Sequence, residues 1–194
     1  MPAAIAFDYA RAVDRATQLF WKRGYSNASL RELLRVMGIG EGSFYNTFGS
    51  KRRLYLACLQ HYNDTVSRRR LDALQSPASV RVGVRAFFKT VLDELDDPKT
   101  PSVCLLAGSL SVDVLREREL ARMVLSDMQE FSAAFQDRLE AAKRAGELPK
   151  RFDAAVAAHV LVTFLQGLFR VIRTLHDRTE VERQIDLLLA GLGL

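Results

Sequence analysis

The sequence predicts an all-α protein of about nine helices. Apolar residues recur three and four positions apart along most of its 194 residues, no segment alternates as a half-buried strand would, and only five prolines and eleven glycines interrupt the chain. A hydrophobic content of 48% is enough to build a core, in one domain or in two closely packed ones.

The elements follow from periodicity and punctuation. A first helix is expected from about Asp8 to Arg23, with Tyr9, Val13, Ala16, Leu19 and Phe20 on its apolar stripe and Gly24 as its stop. Ser29 and Glu32 form a capping box for a short second helix that buries Leu30, Leu33, Leu34 and Met37 and ends at Gly38. Glycines bracket a third helix, Glu41 to Phe48. Ser50 caps a long fourth helix through Leu54, Leu56, Leu59, Tyr62 and Val66 to about Leu74, and Ser76-Pro77 breaks it.

Ser79 starts a helix that runs to about Leu95, and Asp96 to Pro101 reads as a loop. Val103 to Val114 is short and apolar on nearly all sides. Leu120 to about Ala145 is long, with Gly146 and Pro149 as its stop. Asp153 caps a helix to about Leu175 whose apolar residues wrap more than one side, so it must be covered both by its own chain and by something else. Thr179 and Glu182 read as a capping box for a last helix carrying Val181, Ile185, Leu188 and Leu189.

Charge separates the two ends of the chain. Residues 1–75 carry 12 Lys/Arg against 6 Asp/Glu, whereas residues 76–194 carry 16 against 17. A polyanion partner for the first segment fits this asymmetry, and so does a solvated basic face. Arg68-Arg69-Arg70 is expected on such a solvated face. No apolar run approaches the roughly 18–20 residues that cross a bilayer, and the N-terminus lacks a basic leader, so a cytoplasmic chain with no membrane partner is expected. Cys58 and Cys104 are then expected as reduced thiols. No nucleophile-base pairing, phosphate-cradling glycine loop or metal-ligand cluster stands out, which argues against an enzyme and against a metal or cofactor. A small-molecule carrier or an enzyme on a helical scaffold is the competing class.

Met37-Gly38-Ile39-Gly40 is a tight glycine-bearing turn between the second and third helices, a helix-turn-helix pattern. In that arrangement the second helix of the pair lies in the major groove of DNA. Gly40, Gly42 and Ser43 are small enough for close approach, Phe44 and Phe48 can face back into a core, and Tyr45 and Thr47 are donors suited to phosphates or base edges. Lys51, at the start of the fourth helix, is placed for a backbone phosphate.

Leu19-Phe20, Gly24-Tyr25, Ser29-Leu30-Arg31-Glu32-Leu33, Gly38-Ile39, Gly42-Ser43-Phe44-Tyr45 and Phe48-Gly49-Ser50-Lys51 together resemble the N-terminal DNA-binding domain of the TetR family of bacterial transcriptional regulators. The resemblance implies a helix-turn-helix domain over residues 1–55, joined through the long fourth helix to an effector-binding and dimerisation domain over residues 56–194. It further implies a homodimeric repressor of double-stranded operator DNA, released by a small-molecule effector. By position, Tyr45 and Lys51 would contact phosphates, Ser43 and Thr47 would lie at the groove, and Arg31 would touch backbone or a base edge; Gly42 and Asn46 complete the set. Glu41 departs from the basic or small residue frequent there and is expected to face solvent. In the second half, Cys104-Leu105-Leu106, Ala145-Gly146-Glu147-Leu148-Pro149 and Gln166-Gly167-Leu168 are similar to stretches in many members. Cys104, Phe131, Phe135, His159 and Phe164 are candidate effector contacts, each with a plainer reading as a core or interface residue. Val160, Phe164, Leu168, Ile185 and Leu188 are the candidate dimer interface on the last two helices.

Overall fold

The computed structural model describes residues 7–75, 79–98, 100–101, 104–172 and 177–194. Every regular element among them is helical: α1 (Tyr9–Asn27), α2 (Leu30–Met37), α3 (Glu41–Phe48), α4 (Lys51–Tyr62), a π-helical stretch (Asn63–Ser67), α5 (Arg68–Leu74), α6 (Val80–Asp96), α7 (Leu105–Ser109), α8 (Val112–Leu115), α9 (Arg118–Arg144), α10 (Ala154–Val171) and α11 (Arg178–Gly191). Two expected helices are subdivided. The π-helical stretch interrupts the fourth, where the Thr65 hydroxyl donates back to the His61 carbonyl at 2.7 Å, a bond of the kind that bends helices. The segment expected as one helix from Val103 to Val114 is two pieces, parted at Leu110 and Ser111. The expected break at Ser76-Pro77, the start at Val103 and the end at Leu175 lie outside the described residues.

The chain forms two compact units. One holds the described residues through Thr65 together with Cys104–Val124; the other holds the described residues of 66–103 and Leu125–Leu194.

In the first unit, α1 through α4 close around Val13, Ala16, Phe20, Leu33, Met37, Phe44, Phe48, Leu54 and Leu59, all buried. Gly24, at φ 76° and ψ 169°, ends the regular part of α1 where the sequence puts its stop. Polar links pin α7 to this core. Ser109 donates to the Leu105 carbonyl at 2.7 Å, so the buried Tyr55 phenol donates to the Ser109 hydroxyl at 2.6 Å. Tyr62 donates to the Cys104 sulfur at 3.3 Å. Cys58 and Cys104 are both buried and form no disulfide, and burial pushes the Cys58 thiol up to about 12.

In the second unit α5 crosses α6 at Gly83, where a Cβ would lie 2.5 Å from the Leu74 carbonyl oxygen, so only glycine permits that approach. Phe87, Phe88, Phe131 and Phe135 pack in its core, with Phe87 edge-to-face against each of the other three and 4.8 Å from the Phe135 ring.

Three expectations need correcting here. Arg70 is no part of a solvated face: it is 2% exposed, bonds Glu94 through Nε at 2.9 Å and Nη2 at 2.6 Å, and lies 5.3 Å from the Phe169 ring. Arg68 and Arg69 are exposed, because three consecutive residues on a helix point in three directions. Thr179 and Glu182 make no capping box: the cap of α11 is Asp177, which accepts from the backbone N–H groups of Thr179 and Glu180, while Glu182 accepts from Arg178. Finally, α10 is long and apolar enough by composition to cross a bilayer. His159, Thr163 and Gln166 break its apolar run without adding charge. Its buried face, from Ala154 through Leu161 and Leu165 to Phe169, belongs to the core of the second unit.

Candidate nucleic-acid interface

The pair α2 and α3 is built as the sequence predicts. Ser29 accepts from the Glu32 N–H at 3.2 Å, and Glu32 accepts from the Ser29 N–H at 3.2 Å and from its hydroxyl at 2.8 Å. These bonds, with Arg23 and Arg35 nearby, hold the Glu32 carboxyl below its ordinary range. Gly38 then takes the left-handed conformation, φ 70° and ψ 32°, and donates to the Leu34 carbonyl, which closes α2 and turns the chain toward α3. From α1, Arg15 donates to the Val36 carbonyl at 3.3 Å and braces the same turn.

Helix α3 has two distinct sides. Phe44 and Phe48 are buried, with ring centres 5.7 Å apart, and Tyr9 of α1 stacks on Phe48 at 5.5 Å. Gly42, Asn46 and Thr47 are exposed, Ser43 is half-buried, and Tyr45 keeps 49% of its surface in solvent while its ring sits edge-on to Phe44 at 5.2 Å. Arg31 is exposed on α2, and Glu41 faces solvent as expected. The side that packs is aromatic, and the exposed side carries glycine, hydroxyls, an amide and, at its start, the Glu41 carboxylate.

Ser50 caps α4 by accepting from the Arg53 N–H at 3.2 Å. Lys51, next along, is half-buried. Its ammonium lies 4.7 Å from the centre of the Tyr25 ring, donates to the Ser26 carbonyl at 3.5 Å, and is pushed below its ordinary pKa by burial. Arg52 instead pairs with Glu117 at 3.4 Å and Glu119 at 3.3 Å. Sequence reasoning did not find the Tyr25 platform or these pairs, because residues 26 or more positions apart share no periodicity that would announce their contact.

Two family models match the chain: "Bacterial regulatory proteins, tetR family" over residues 12–58, and "Tetracyclin repressor-like, C-terminal domain" over residues 82–188. The chain belongs to the TetR family. Its function is that of a DNA-binding transcriptional regulator. Among similar proteins, the uncharacterized HTH-type transcriptional regulator YezE of Bacillus subtilis is 29% identical over 96% of each chain. The HTH-type transcriptional repressor ComR of Escherichia coli is 24% identical over 84% of this chain and 78% of its own. A cysteine mutant of the TetR family regulator CifR, solved with 26bp double-strand operator DNA, superposes with a TM-score of 0.89 at 28% identity, covering 96% of this chain and 98% of that one.

The other candidates of this TetR-family chain fall into separate places. Cys104 is buried in the first unit. In the second, Phe131 and Phe135 belong to the aromatic core, and Phe164 meets Phe88 at 5.5 Å. His159, Val160, Phe164 and Leu188 line one open groove of about 420 Å³ with Val156 and Thr163, whereas Leu168 and Ile185 are each 3% exposed and buried within the unit. A second cavity of about 380 Å³ between α6 and α11 is lined by Val82, Ala86, Leu92 and Ile185 with the charged Arg85, Lys89 and Glu182. None of the five effector candidates is among its described lining residues.

Proposed function

We propose that this TetR-family regulator is a cytoplasmic repressor, a binding protein rather than an enzyme, that holds a palindromic operator as a homodimer and releases it when a small-molecule effector binds. The two-sidedness of α3 carries the reading: Phe44 and Phe48 anchor it from behind, and the residues on its outer side are small or hydrogen-bonding. In this reading Gly42, Ser43, Asn46 and Thr47 approach base edges, Tyr45 and Lys51 hold phosphates, and Arg31 touches backbone or a base edge.

Dimerisation through the open groove on α10 and α11 would bring the Val160, Phe164 and Leu188 of two copies together, and Val156 and Leu187, 57% and 75% exposed, lie on the same two helices. Leu168 and Ile185, each 3% exposed, are left out of that surface. The dimer sets the distance between two reading helices, about 34–36 Å for successive half-sites on one face of DNA. An effector that favours another spacing releases DNA without touching it, and operator DNA must then lower effector affinity by the same factor. Phe131, Phe135, His159 and Phe164 of the second unit are the proposed effector contacts, and Cys104, buried in the first unit, is a separate candidate. The test is a gel shift with the duplex upstream of the protein's own gene at moderate salt. Retardation that mixed-sequence competitor fails to abolish is the expected result, and equal affinity for every duplex would end the proposal.

A further inference from the structure

We infer that Tyr25 is a positioning residue for DNA binding, its ring holding the Lys51 ammonium where a backbone phosphate can take it. This rests on the proposed phosphate contact of Lys51 and adds the element that makes the contact effective. A lysine has four rotatable bonds and loses more rotamer freedom than most side chains when it is ordered. Lys51 also stands in the first turn of α4, where the helix dipole repels a cation, so nothing on its own helix holds it.

What holds it comes from α1. The Tyr25 ring centre is 4.7 Å from Nζ, and the Ser26 carbonyl accepts one N–H at 3.5 Å. An aromatic face attracts a cation mainly through its charge, so with one N–H on Ser26 and one toward the ring the ammonium still has a donor for an anion. The platform is itself fixed. Tyr25 packs on Tyr55 at 4.8 Å and on Phe20 at 6.2 Å, and Tyr55 is locked by its bond to Ser109. Burial raises the Tyr25 phenol, with the Glu117 carboxylate adding to the effect, so the ring is neutral at physiological pH. Burial also disfavours the charged form of Lys51, a penalty that a bound phosphate would offset. The lysine is thus ordered before DNA arrives, and preordering raises affinity by removing a cost of binding.

The test is a double-mutant cycle, read by anisotropy of a labelled duplex from upstream of the protein's own gene over a range of salt. Lys51→Ala should weaken binding and reduce the magnitude of the salt slope by about 1 per protomer. Tyr25→Leu should weaken binding about two- to five-fold per protomer with the slope kept, and should have no further effect in the Lys51→Ala background. Tyr25→Phe should bind as wild type, because the ring and not the hydroxyl is the platform. If Lys51→Ala binds normally, the phosphate contact fails and this inference goes with it. If Lys51→Ala weakens binding but Tyr25→Leu adds to it in full, or tightens binding, positioning alone is overturned. Should Tyr25→Leu fail to fold, the wild-type protein decides the matter: the Lys51 ε-methylene protons should be shifted upfield by the Tyr25 ring current, and ordinary lysine shifts would overturn the inference.

Discussion

Removing the carboxylate of Glu94 should destabilise the second unit severely, because it takes from the buried Arg70 guanidinium the carboxylate that accepts two of its hydrogen bonds. Arg70 is 2% exposed and Glu94 10%, and two bonds of 2.9 and 2.6 Å join them. Breaking such a buried pair costs about 3–5 kcal/mol, since the remaining charge stays desolvated. The Phe169 ring, 5.3 Å from the guanidinium, offsets none of this, because that contact exists before and after the change. Arg69, at 3.6 Å from the other Glu94 oxygen and 64% exposed, adds at most about 1 kcal/mol to the loss. For a chain of this length each kcal/mol moves the melting point by about 2–4 °C, so Glu94→Ala should lower Tm by about 6–20 °C. Scanning calorimetry at neutral pH measures it. Replacing both partners, Arg70→Met with Glu94→Met, should recover most of the loss, because the guanidinium that needed the carboxylate is then gone with it. A Tm drop of less than about 2 °C for Glu94→Ala, or a double variant as unstable as the single one, would refute the reasoning.

Other outcomes follow from the same geometry. Tyr45→Phe keeps the ring against Phe44 and removes only the hydroxyl, so the fold should persist while operator affinity falls about 10- to 100-fold if a charge-assisted bond to phosphate is lost; unchanged affinity would leave Tyr45 as a packing residue. Leu188→Glu puts a carboxylate on each half of the proposed dimer face, and losing about 1.5–3 kcal/mol of burial twice should weaken association about 10²- to 10⁴-fold. Sedimentation should show monomers, and a persistent dimer would move the interface elsewhere. The pKa of Glu32 is lowered in the folded chain, chiefly by the bonds from Ser29, so the stability it contributes is present above the ordinary carboxylate range and lost as pH falls through the depressed value. Ser29→Ala should therefore flatten the acid limb of the stability profile, and an unaltered limb would remove the capping box as its source.

Much of the candidate site was legible because its signals are local. A capping box needs two residues three apart, and Ser29 with Glu32 form it. A left-handed turn needs a glycine, and Gly38 supplies it. A two-sided helix needs its rings four apart, as Phe44 and Phe48 are. The same local reasoning failed at Thr179 and Glu182, where Asp177, just upstream, competes successfully for the same N–H groups. Two plausible caps within a few residues cannot be ranked by spacing.

The order of the helices, the start and stop of α2 and α3, and the sides that α3 presents were determined by the sequence alone, since hydrogen bonds within one turn and the 3.6-residue period act over a few residues. Tertiary structure alone decided that Arg70 is buried on Glu94, that Leu168 and Ile185 close inward while Leu188 stays on an open groove, and that Tyr25 lies under Lys51. Those outcomes depend on which chain segments meet in space. Charge, ring and aliphatic side chains accept several partners, and only packing selects among them.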